Sequence, residues 1–114
     1  MAKKRFKPIE LHTDSPQDIF QDYKLDISKS IISAIEHCLK TKKKRVDFAN
    51  VIIKDTLVIT LSIDNREFSD LIDQNLENLI EAEEYEICAL AVKLKNKIKK
   101  NELQVQESGS SKAD

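Results

Sequence analysis

Glycine is nearly missing from this chain: among 114 residues it occurs once, as Gly109. Phosphate-cradling loops, dinucleotide turns and nucleophile elbows need glycine where backbone approaches a ligand or takes positive φ. Residues 1–108 offer none, so a non-enzymatic protein without cofactor or small-molecule substrate is the expectation. Tryptophan is absent and aromatics are few (four Phe, two Tyr). Burial therefore falls to Ile, Leu and Val, each stabilising by roughly 1.5–3 kcal/mol when fully buried. No apolar run approaches the ~20 residues of a membrane span. Only Cys38 and Cys88 carry thiols, and no secretory apolar stretch follows Met1–Lys7. The chain reads as cytoplasmic with reduced cysteines.

What is present is charge, arranged in blocks. A net charge of −1 hides 19 basic and 20 acidic residues. Lys3, Lys4, Arg5 and Lys7 open the chain; Lys40, Lys42, Lys43, Lys44 and Arg45 form a second basic block, and Lys93, Lys95, Lys97, Lys99 and Lys100 a third. Between the last two runs an acidic stretch from Asp64 to Glu86, interrupted only by Arg66.

The organisation reads as one small α+β domain. Residues 1–25 contain Pro8 and Pro16 without sustained periodicity, and 104–114 end in a polar tail. Hence the expectation is a flexible arm over 1–25, a domain over 26–102 and a disordered tail over 103–114. Ile27, Ile31, Ala34, Ile35, Cys38 and Leu39 recur at helical spacing and predict a helix over about 26–42. Leu57, Ile59, Leu61 and Ile63 alternate with Thr56, Val58, Thr60 and Ser62, the clearest strand signal here, and Val46–Ile53 is its antiparallel partner. A two-residue turn at Lys54-Asp55 would set Ile52 against Leu57, Asn50 against Ile59, Phe48 against Leu61 and Val46 against Ile63. Helical periodicity resumes at Phe68 and breaks at Ala82-Glu83-Glu84. From there it predicts either one long helix or a helical hairpin, giving the order α-β-β-α-(α).

That register leaves Ala49, Val51, Ile53 and Val58 on a second apolar face. A two-stranded ribbon is marginal in water, so either helices cover both sides or two hairpins join edge to edge or face to face; burial of this face in a homodimer or against another protein is the expectation. On this reading Val51→Asp would convert dimer to monomer.

The segment Leu76-Glu-Asn-Leu79-Ile80-Glu81-Ala-Glu83-Glu84-Tyr85-Glu86-Ile-Cys88-Ala89 resembles the UVR motif of bacterial excision-repair proteins and some quality-control adaptors. The resemblance covers residues 76–89 only, and Leu90-Ala91-Val92-Lys93 departs from the family's Leu-Arg-Asp continuation. It implies a helical hairpin used for protein contact, with Cys88 and Ala89 permitting close helix approach and Tyr85 packing over the turn. Leu79 and Tyr85 join the expected interface on this ground.

The alternative is a nucleic-acid accessory protein that neutralises phosphates with Lys3, Lys4, Arg5, Lys40, Lys42, Lys43, Lys44 and Arg45, with Phe6 as one stacking ring. The bland reading of the same block is a helix terminus, where cations complement the helix dipole. Asp70, Asp73, Glu77, Glu81 and Glu84 fall on one helical face, either solvated or facing a basic partner such as Lys93–Lys100 of a second copy. His37 and Cys38 are adjacent and do not converge on one metal, so no metal site is expected. Ser15 and Ser62 have no base evident beside them.

Overall fold

The computed structural model describes residues 6–113, with side chains through Lys100. The fold is α+β. In chain order it comprises β1 (Ile9–Thr13), a 3-10 turn, the short α1 (Ile19–Asp22), α2 (Lys24–Thr41), β2 (Arg45–Ile53), β3 (Leu57–Asp64), α3 (Phe68–Glu81) and α4 (Tyr85–Ala113). The expected arm over 1–25 therefore contributes structure. Ile9 and Leu11 alternate with Glu10 and His12, and the segment pairs in parallel with β2, Ile9 opposite Ala49 and Thr13 opposite Ile53. The sheet has order β1-β2-β3 and is mixed, with β2 and β3 antiparallel. The expected tail at 103–114 lies outside the residues with described side chains; the α4 backbone spans all of it except Asp114.

Register decides what the sheet buries. Lys54 and Asp55 both take left-handed φ (52° and 59°), and Thr56 donates its N–H to the Ile53 carbonyl at 3.0 Å. Thr56 belongs to the loop, so Ile53 faces Leu57, Val51 faces Ile59 and Ala49 faces Leu61, one residue away from the expected pairing. An irregularity between Asp47 and Ala49 then absorbs Phe48 as an extra residue and restores the expected Val46–Ile63 pair. Such a bulge is held here by α2: the Ser30 hydroxyl donates to the Phe48 carbonyl at 2.7 Å, inside the core.

A one-residue shift exchanges the faces of a strand. Ala49, Val51 and Ile53 consequently share a side with Leu57, Ile59, Leu61 and Ile63, and with Leu11 of β1. Helix α2 packs over β2 on that side, where Phe48, Ala49 and Val51 are buried together with Leu11 of β1. The opposite side is largely polar: Glu10, His12, Asn50 bonded to Thr60 and Asp47 bonded to Ser62, with Ile52 and Val58 its apolar pair. The second apolar face expected from sequence is corrected accordingly.

Helix α2 lies between two layers, the sheet on one side and the α3–α4 hairpin on the other. Its residues Ile27, Ile31, Ile32, Ala34, Ile35 and Cys38 are buried between these layers, while Asp26, Ser33 and Lys40 mark its solvent-facing stripe. The α2–α3 seam is partly polar. Ser28 donates to Asn75 Oδ1 at 2.8 Å, Asn78 donates to Ser28 Oγ at 3.1 Å, and Asn75 donates to the Leu71 carbonyl at 2.7 Å. With these bonds made, the described residues hold no buried side-chain polar atom lacking a partner.

Residues 66–100 form a hairpin. A second 3-10 turn, Asn65–Glu67, leads into α3 and is capped by Asp64, which accepts from the Arg66 N–H at 3.0 Å while Glu67 accepts from the Asp64 N–H at 3.0 Å, a reciprocal arrangement. The helix ends where Glu83 takes φ 58° and Glu84 donates to the Leu79 carbonyl at 2.9 Å. Glycine normally fills such a position; this chain uses glutamate.

Candidate functional site

Two surfaces stand out. The first is the outer edge of β3. Strands β1 and β3 are the sheet's edges, and they differ in protection. Edge strands are ordinarily blunted by charge, proline or bulges. β1 carries Glu10 and His12 between Pro8 and Pro16, and His12 lies within 3.8 Å of Glu10 and 3.7 Å of Asp55. From Thr56 to Ile63, β3 has no charge, no proline and no glycine. Its first half also projects past α2, leaving Leu57, Val58 and Ile59 exposed at 55%, 58% and 42%. Towards the other end Leu61 is half-buried and Ile63 buried. Exposed apolar side chains are thus concentrated where backbone pairing groups are open.

Of the interface residues expected from sequence, Val58 is on this edge and Ile53 is half-buried beside it. Ala49 and Val51 are covered by α2, and Leu79 is fully buried, so these three are core residues. Tyr85 is exposed instead of packing over its turn, and Ala89 is exposed too; the small residues buried on α4 are Cys88 and Ala91. Leu57 and Ile59 were placed on the inner face by the expected register, so alternation alone did not mark them as surface.

The second surface is a groove of about 630 Å³ where the chain enters β1 and where α2 passes into β2. Phe6 and His37 line it with ring centroids 6.0 Å apart and planes tilted by 36°. Lys43, Arg45 and Asp47 supply its charge. Asp47 accepts from Ser62 Oγ at 2.6 Å. Lys42 turns the chain with φ 58°, and Lys43 N–H closes the helix on the Cys38 carbonyl at 3.1 Å. Lys42, Lys43, Lys44 and Arg45 are exposed and make no ion pair among the described residues, whereas Lys40 pairs with Glu36 at 3.6 Å. Lys3, Lys4 and Arg5 lie outside the described residues, directly before Phe6 in sequence. The approach of Phe6 to His37 sets the segment before β1 against the end of α2, and no local sequence signal announced it.

Three of the five carboxylates of the acidic stripe are engaged within the chain. Asp73 bonds Lys95, Glu81 lies 3.5 Å from Lys24, and Glu84 lies 3.4 Å from Lys29. Cys38 and Cys88 are buried free thiols, and burial raises the Cys38 pKa, with Lys43 opposing the rise. Among the described residues no helix is long and apolar enough to cross a membrane, and no three His, Cys, Asp or Glu side chains are grouped to hold a metal. Comparison with family models, curated proteins and solved structures yields no match to this chain.

Proposed function

We propose that this protein is a non-enzymatic interaction module that associates with a second copy of itself through the outer edge of β3. The observation that carries this reading is the uncharged edge with Leu57, Val58 and Ile59 exposed together. The exposed stretch Leu57–Ile59 is apolar on both faces and needs a mate that is likewise apolar, and the same stretch of a second β3 meets that need. In antiparallel pairing centred on Val58, Leu57 of each copy lies across from Ile59 of the other on one face, and the two Val58 side chains meet on the other face. Thr56 falls opposite Thr60 and Lys54 opposite Ser62, so no like charges oppose each other. Such an arrangement is closed and two-fold, as most homodimers are, and it extends the sheet from three strands to six. The UVR resemblance of residues 76–89 suggests an additional protein contact, for which Ile80, Tyr85 and Val92 are exposed on the hairpin.

Sedimentation velocity over a range of concentrations tests the edge. The native chain should self-associate, and Val58→Lys should sediment as a monomer with unchanged circular dichroism, because Val58 supports no core contact. A native chain that stays monomeric at millimolar concentration, or a variant that associates as before, would refute the proposal.

A further inference from the structure

We infer that the groove between Phe6 and Arg45 binds single-stranded nucleic acid. Three features converge there. Lys42, Lys43, Lys44 and Arg45 are exposed and unpaired among the described residues, while Lys24, Lys29, Lys40 and Lys95 are each committed to a carboxylate. Cations left free beside a groove are available to phosphates, and their binding releases counterions. The second feature is aromatic: Phe6 and His37, brought within 6.0 Å of each other, give the groove two rings. Base stacking on such rings is sequence-tolerant and contributes to binding of unpaired strands. Third, the volume of about 630 Å³ is of small-ligand size, suited to one or two nucleotides. A duplex keeps its base faces stacked inside and would leave both rings unused, so an unpaired strand is the ligand that employs the whole site.

Asp47 opposes this ligand. It sits in the groove and is held by Ser62, so phosphates are directed to the Lys43 and Arg45 side, and Asp47→Asn should tighten binding. The groove lies at the Arg45–Asp64 end of the β2–β3 pair, away from Leu57, so it operates whether or not β3 dimerises.

Fluorescence anisotropy of the full chain with labelled oligothymidine, oligouridine and a random duplex tests the inference. At about 50 mM salt both single strands, or one of them, should bind more tightly than the duplex, and their ranking identifies DNA or RNA as the ligand. The salt dependence should be steep, and Lys43→Ala with Arg45→Ala should lower the slope of log affinity against log salt by about 0.7 per removed contact. Phe6→Ala should weaken binding roughly tenfold at unchanged slope, since it removes stacking and no charge. Circular dichroism of each variant separates a lost site from a lost fold. Absence of binding at low salt, equal affinity for duplex, or indifference to Phe6→Ala or to the cation substitutions would each overturn it.

Discussion

Asp64 shows how much one residue holds at an element boundary. Its carboxylate accepts from the Arg66 backbone N–H and from Arg66 Nε at 3.1 Å, and these bonds hold its pKa below the ordinary carboxylate value, with the charges of Arg66 and Arg45 adding to the effect. A carboxyl depressed in the folded state stabilises above its unfolded pKa, and that contribution disappears as pH falls through the folded pKa. Asp64→Asn should therefore lower the urea midpoint at pH 7, and the gap from the native chain should close below the carboxylate range. A gap of constant size at pH 7 and in strong acid would deny the charge its role. The capping pair Asp64 and Glu67 was readable in principle as an acid followed three residues later by Glu. Ser30 was not readable: nothing local says that its hydroxyl serves a strand carbonyl 18 positions away.

Elements were legible where their periodicity was self-contained. The helix expected over about 26–42 is α2 at Lys24–Thr41, the alternation after Thr56 is β3, and the break at Ala82–Glu84 is a true turn. β1 was missed because a five-residue strand has little periodic signal and its pairing partner is more than thirty positions distant. Pairing register was missed because it depends on the three-residue turn and on a bulge that α2 anchors. That difference reverses the meaning of one substitution. With Val51 buried beneath α2, Val51→Asp places an unpaired carboxylate in the core, at a cost of several kcal/mol. Urea denaturation should find the variant unfolded or severely destabilised, where the expected register made it a folded monomer. A variant of native stability would mean that α2 does not cover β2.

At the level of the whole molecule, charge blocks were visible from the sequence but their use was not. Three carboxylates of the acidic stripe are tied to lysines of α2 and α4 inside one chain, through Asp73–Lys95, Glu81–Lys24 and Glu84–Lys29. Exposed pairs of this kind contribute little to stability individually, so they orient the hairpin on α2 more than they hold it. The candidate site was legible in part: Val58, Tyr85 and the junction lysines are at the surface, whereas Ala49, Val51 and Leu79 were apolar residues whose burial only tertiary packing decides.

Because α2 is clasped between the sheet and the hairpin, its middle turns cannot unwind while those two layers stay assembled on it. Amide protons of Ile31 to Ile35 should accordingly exchange with deuterium only when the entire domain opens, and record its global free energy. Those of Leu57 to Ile59 on the bare edge should exchange orders of magnitude sooner in dilute solution, and slow down as the protein is concentrated.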